Sequence, residues 1–377
     1  MAGMSVSGAA GGSGASVWTR WIGAPSSLRT TAIASLAANV GIVVTGGAVR
    51  LTGSGLGCPV WPSCADGSLT PVAAQAYHGQ IEFANRMLTF VLVAIAVATL
   101  AVTTRQRGAS DGRGALRWKL ALAILVAIAA QAVLGGIAVR TELNPWMVGG
   151  HLLLSMVLIA LAVVLLHEAP ALSAAPVLSA APALAAVTAG APARRGPAEG
   201  PIAGDLSAGG PSAAEPGVGD PSAAAPVAAI RAALAWLAVL VAGAALILGA
   251  VVTGTGPHAG ATTAEGVAHR IGIDPRQATQ LHADAVMVLV GLSIGLGIIA
   301  RFAAPSRRWA RAVWTLLILE AAQATIGFAQ YFAGLPPLLV GVHMLGASLV
   351  WTWAIWVLLT GRAGALRRAP SPRRASA

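Results

Sequence analysis

Eight apolar runs, each long enough to cross a bilayer, constrain this chain more than any other feature. They cover about residues 30–50, 77–104, 120–139, 146–167, 229–252, 277–300, 312–333 and 337–360. A helix rising about 1.5 Å per residue needs about 20 such residues to cross the roughly 30 Å hydrocarbon layer. Lipid offers backbone groups no hydrogen bonds, so each run must close its own as an α-helix. The fold class is therefore an all-α polytopic membrane protein with eight transmembrane helices. Composition agrees: 56% of the 377 residues are hydrophobic and 10% are charged, against about 25% charged in soluble domains. The net charge of +11 comes from arginines in short polar turns. That pattern suits topology and contact with anionic membrane lipids, not nucleic acid. Gly53-Ser54-Gly55-Leu56-Gly57 is a flexible turn and fits no nucleotide-binding pattern.

The turn after the second run carries Arg105, Arg107, Arg113, Arg117 and Lys119, and the turn after the sixth carries Arg301, Arg307, Arg308 and Arg311. The positive-inside rule places these turns in the cytoplasm, and with eight spans both termini as well. The expected location is the bacterial cell membrane. Loops 51–76 and 253–276 then face outward. Cys58 and Cys64, the two cysteines, lie in the first of them, in an oxidising space where they can pair. A clip closing a small loop is the simpler role, and redox exchange the other.

The two halves look alike. Gln131-Ala132-Val133-Leu134-Gly135 matches Gln323-Ala324-Thr325-Ile326-Gly327, and Val148-Gly149-Gly150-His151 matches Val340-Gly341-Val342-His343. The offset is 192 in both cases (323 − 131 and 343 − 151). This predicts two tandem four-helix bundles, an internal repeat related by an axis along the membrane normal. The expected divisions are an N-terminal tail (1–29), a first unit (30–168), a linker (169–228), a second unit (229–360) and a basic tail (361–377). The linker is Ala/Pro/Gly/Ser-rich without aromatics, so it is expected to stay disordered.

Polar groups within the apolar spans mark the chemistry. His78, Glu82 and Asn85 sit at i, i+4 and i+7 on one helical face. Ionisable groups at membrane depth cost about 2.5–3.5 kcal/mol for a central charge and are functional by default. An interfacial helix end touching headgroups is the plainer alternative. His282 and His343 lie at similar depth from the outer ends of their helices, an arrangement that suits both axial positions of a haem iron. His151 occupies the matching place in the first half, but its opposite number is Asn85, a poor iron ligand. One half therefore has a bis-histidine site and the other an incomplete ligand set beside Glu82, which suits a substrate. His78 lies about 10 Å along the axis from Asn85 and is one turn from Glu82, near enough to bond it or relay protons.

Taken together, Gly46-Gly47-Ala48-Val49-Arg50-Leu51-Thr52-Gly53-Ser54-Gly55-Leu56-Gly57-Cys58, Trp61-Pro62-Ser63-Cys64, Ile81-Glu82-Phe83-Ala84-Asn85-Arg86 and the three helix histidines resemble the haem A synthase family of cytochrome oxidase assembly, in an actinobacterial-type form. The resemblance covers residues 30–168 and 229–360. It implies oxidation of a haem O methyl group to the formyl of haem A. It implies haem b between His282 and His343 as axial ligands, and substrate haem at His151, with Asn85 and His78 as further candidates. Glu82 maps to the family's catalytic glutamate, and Cys58 and Cys64 to its first-loop pair. Where many members have Glu-x-x-His-Arg, this chain has Asn85. Implied partners are haem O, membrane lipids, a haem O synthase (protohaem farnesyltransferase) and an unidentified electron acceptor. A homo-oligomer is compatible, and nucleic acid is not a partner. The competing readings are a bis-histidine cytochrome b-like electron carrier, which would ligand both halves equally, and a repeat-built transporter, which would show broken midplane helices.

Overall fold

The computed structural model describes residues 21–170, 221–258, 260, 262–263, 266–267 and 269–366. Most of the expected linker, and the outer parts of both tails, lie outside the described residues. Among the described residues, eight helices are long and apolar enough to cross a membrane. They are α1 (Pro25–Leu51), α2 (Ala76–Arg105), α3 (Gly114–Arg140), α4 (Pro145–Glu168), α5 (Pro221–Thr255), α6 (Pro275–Phe302), α7 (Arg307–Phe332) and α8 (Pro337–Leu366). A short 3-10 turn, Ala73–Gln75, precedes α2, and a two-residue hairpin, β1 (Thr262–Thr263) with β2 (Gly266–Val267), sits in the second long loop. The chain is a multi-pass membrane protein.

Two boundaries differ from expectation. Within the described residues helix α5 reaches back to Pro221, eight residues (229 − 221) before the predicted start and inside the stretch assigned to the linker. The segment Ser222-Ala223-Ala224-Ala225 is mostly alanine, the best helix former. Helix α1 likewise starts at Pro25 within the predicted tail.

Side-chain caps mark three of the other starts. Asn144 Oδ1 accepts the Trp146 N–H (3.0 Å) at α4, Asp274 Oδ1 accepts the Arg276 N–H (2.7 Å) at α6, and Ser306 Oγ accepts the Trp309 N–H (3.1 Å) at α7. The turns into α4 and α8 close alike. Leu143 N–H donates to Ala138 O (2.8 Å) and Leu335 N–H to Gln330 O (2.7 Å), with both leucines at positive φ.

Helices α1 to α4 pack in sequence and close with α1 against α4; α5 to α8 do the same with α5 against α8. Contacts of α1 with α8, α4 with α8 and α4 with α5 join the two groups. One apolar cluster fills each group, around Ile124 and Leu158 in the first and Trp309 and Leu316 in the second. A third, with Val43, Ile159 and Ile355, lies between them. Lipid tails are as apolar as leucine, so close packing and polar bonds, more than apolar burial, hold such helices together. One such bond is Trp351 Nε1–H to Met156 O (2.8 Å), from α8 to α4.

Both long loops meet at one end. Arg50, at the end of α1, donates to Thr253 O (2.8 Å) and His258 O (2.6 Å), and Gly55 N–H donates to Gly260 O (2.9 Å). The Arg-rich turns lie at the other end. There Arg113 pairs with Glu168 (2.7 Å) and Arg117 with Asp111 (2.5 Å). The Arg113 backbone N–H, then Arg117, holds the Asp111 carboxyl below the usual carboxylate range.

Candidate functional site

Four polar side chains sit at one level near the loop end. Glu82 lies six residues past Ala76 (82 − 76), His151 six past Pro145 (151 − 145), His343 six past Pro337 (343 − 337) and His282 seven past Pro275 (282 − 275). At about 1.5 Å per residue, all are about 9–11 Å inside their helix ends.

Each histidine leans on a glycine of the neighbouring helix. A Cβ at Gly135 would meet His151 Cε1 at 3.1 Å, one at Gly327 would meet His343 Cε1 at 3.2 Å, and one at Gly249 would meet His282 Cε1 at 3.2 Å. Glutamines brace the same helix pairs. Gln131 Nε2 donates to His151 O (3.0 Å) and Gln323 Nε2 to His343 O (2.8 Å). The matched pentapeptides Gln131–Gly135 and Gln323–Gly327 thus have a physical reason: a glutamine ties down the helix carrying the histidine, and a glycine makes room for its ring.

The rings suit iron. His282 Nδ1 lies 2.9 Å from Ala245 O, which fixes Nδ1 as the protonated nitrogen and leaves Nε2 for a metal. His343 Nδ1 and His151 Nδ1 are enclosed with no hydrogen-bond partner among the described residues, so Nε2 is the nitrogen each ring has to offer. All three rings are half-buried between helices.

The first four helices differ. Asn85 Oδ1 accepts from Thr45 Oγ1 (2.8 Å), and its amide lies over Gly46. An amide oxygen already committed to a hydroxyl does not fit as an iron ligand. His78 does not reach Glu82 as its spacing suggested. Its Nδ1 bonds Ser54 Oγ (2.9 Å) in the loop instead. His151 remains as the histidine of that level.

Glu82 is 6% exposed and fully engaged. Its Oε1 pairs with Arg86 (2.5 Å) and its Oε2 accepts the Cys58 N–H (2.7 Å). Arg86 also donates to Cys58 O (2.9 Å), Ser63 O (2.8 Å) and Val60 O (3.3 Å). One ion pair on α2 therefore holds the short ring closed by the Cys58–Cys64 disulfide. Gly57 presses against His78 O, where a side chain would clash with backbone, so the loop lies flat on the helix end. From α3, Arg140 donates to Trp61 O (3.2 Å), and Gly136 makes room for the Trp61 indole. The role of Arg86 was not drawn from the sequence, although its place four residues after Glu82 is the signal for such a pair.

A family model described as cytochrome oxidase assembly protein matches residues 29–193. Over that stretch the chain is similar to the cytochrome oxidase assembly protein family. Curated relatives of this family that resemble it include Heme A synthase from Geobacillus thermodenitrificans, 32% identical over 111 residues, and Heme A synthase from Geobacillus kaustophilus (strain HTA426), 30% identical over 110 residues. Each match takes in 29% of this chain and 32% of the relative, so the similarity spans about a third of the curated proteins. The family match contains Glu82, Arg86, both cysteines and His151, and ends before His282 and His343.

Proposed function

We propose that this chain is a haem A synthase, which oxidises the methyl group of haem O to the formyl group of haem A for cytochrome oxidase. The observation that carries the reading is the level of histidines near the loop end: a neighbouring pair in the second four helices, a lone one in the first. The family match and the relatives' names support the same chemistry. The chain is read as two tandem units, 30–168 and 229–360, and the shared glutamine–histidine and glycine–histidine contacts at an offset of 192 support that division. The Arg-rich turns support cytoplasmic termini and a loop end that faces outward across the bacterial cell membrane.

In this reading His282 and His343 hold haem b. That group would supply one-electron redox chemistry. Gly249 and Gly327 seat the two rings, and Ala245 O fixes the His282 tautomer. His151 receives substrate haem O on one face only, since Asn85 is tied to Thr45 and His78 to Ser54. The second face stays accessible, as a substrate that must enter and leave requires. Passing from methyl to formyl, through a hydroxymethyl and a hydrated aldehyde, takes oxygen from water, releases electrons in pairs with their protons, and returns one water as the aldehyde forms. Glu82, at the His151 level, accepts protons, and Arg86 with the Cys58 N–H fixes where its carboxylate stands. Haem O comes from a protohaem farnesyltransferase in the same membrane, and electrons leave to a separate acceptor.

Purification of the full chain with its pigments tests the reading. The expected result is a bis-histidine spectrum that disappears in His343→Ala, together with farnesylated haem in the extract, and haem A formation lost in Glu82→Gln. Protohaem alone, with both units equally loaded, would favour a cytochrome b-like carrier instead. Normal haem A formation in Glu82→Gln would remove Glu82 from the chemistry.

A further inference from the structure

Glu320 is a buried acid that the proposed reaction does not use. It lies thirteen residues past Arg307 (320 − 307) and twelve before Phe332 (332 − 320), hence about 18–20 Å from each end of α7, at mid-membrane depth. It is 5% exposed. Ser293 Oγ on α6 donates to its Oε1 (2.7 Å), while Oε2 is enclosed without a partner among the described residues. One turn nearer the histidines, Gln323 Oε1 is also enclosed without a partner, and Gln323 Nε2 holds His343 O. Residues three apart on a helix are neighbours. Two acceptor oxygens, one turn apart, thus lack a donor beneath the histidine pair.

The first four helices lack this acid. Gln131 Oε1 is likewise unpartnered, but the position matching Glu320 is Ile128 (320 − 192), 3% exposed in the apolar core. Packing is therefore satisfied by isoleucine, and the carboxyl needs another reason to exist where ionisable groups are costly. Helix α7 packs against α6 and α8. Besides Glu320, the titratable and charged side chains on these elements are Arg276, His282, Asp284 and Arg301 on α6, Arg307, Arg308, Arg311 and Tyr331 on α7, and His343 and Arg362 on α8. None bonds Glu320; the group facing it is the Ser293 hydroxyl. Without a cation beside it, the carboxyl is neutral when it holds a proton, and a proton or a water would supply the donor both oxygens lack.

We propose that Glu320 is a proton-loading site of the second unit, which takes up one proton, over a water shared with Gln323 Oε1, when the haem gripped by His282 and His343 gains one electron. The proton comes from bulk water and returns there when the electron leaves. The electron comes from a one-electron donor, which is a chemical mediator in the test. Charge in the membrane interior is thereby kept level. This inference rests on the bis-histidine haem reading.

The test is a redox titration of the purified full chain at several pH values, with haem content and spectrum recorded first. In the wild type, the reduction equilibrium is expected to shift up to tenfold per pH unit over part of the range, which is about 59 mV for one electron. Glu320→Gln and Glu320→Ile, the latter copying Ile128, are expected to keep the haem and flatten that slope. Redox-difference infrared spectra of the wild type provide a readout that needs no variant: a protonated-carboxyl band should appear on reduction. A haem-loaded wild type with a pH-independent potential, variants that retain the slope, or a missing carboxyl band would overturn the proposal alone. A chain with no bis-histidine haem would overturn the haem reading and the proposal together.

Discussion

Replacing Arg86 by methionine should damage the first loop more than any other single change there. The side chain is 20% exposed and its partner Glu82 7%. Removing it leaves the Glu82 carboxylate buried with only backbone N–H groups, Cys58 and Gly57, facing it. Stranding one member of a buried pair costs about 3–5 kcal/mol. The three carbonyl bonds to the loop add less, about 0.5–1.5 kcal/mol each, and water can replace part of them at the exposed edge. Adding Glu82→Gln to Arg86→Met removes the stranded charge while keeping an acceptor for the Cys58 N–H, so the double variant should recover about 2–3 kcal/mol. Thermal unfolding of detergent-purified protein, followed by tryptophan fluorescence, is the assay. The single variant should lose roughly 10 °C of Tm and the double variant clearly less. If the losses from the two single variants simply add, the carboxylate is not held by Arg86 and the clamp is wrong.

Two more outcomes follow from the packing. Gly327→Ala puts a Cβ 3.2 Å from His343 Cε1 and should lower bis-histidine haem occupancy several-fold, whereas Gly135→Ala, 3.1 Å from His151 Cε1, should weaken haem O binding and leave that spectrum intact; Gly149→Ala, at 3.8 Å from Ala250 Cβ, is the neutral control. Replacing Cys58 and Cys64 by serine opens a ring with a sequence separation of 6 and should cost about 2 kcal/mol by loop entropy. Protease cleavage between residues 58 and 64 should then rise, but only partly, because Arg86 still holds the loop carbonyls; full cleavage would show that the disulfide alone retains the loop.

Particular residues show what was legible early. The spans could be read because lipid forces each apolar run into a helix, whatever its neighbours do. The three histidines and Glu82 stood out because ionisable groups at membrane depth are costly. The cysteine pair could be read because the loop holding both faces one compartment. Boundaries were less legible at α5, where alanine extends the helix into a stretch whose composition suggested only a linker.

Eight spans, the two loops at one end and the depth of each polar group follow from the residue order alone, since hydropathy and a fixed rise per residue govern all three. What those groups bond emerges from how the helices and loops pack. His78 spacing pointed to Glu82, yet Ser54 took the ring, and Arg86, not a histidine, met the carboxylate. Glycines that look interchangeable in sequence proved to be seats for imidazoles at Gly135, Gly249 and Gly327. Such choices depend on which neighbouring helix supplies a donor or leaves a gap, and periodicity along one helix carries no information about the surface that packs against it.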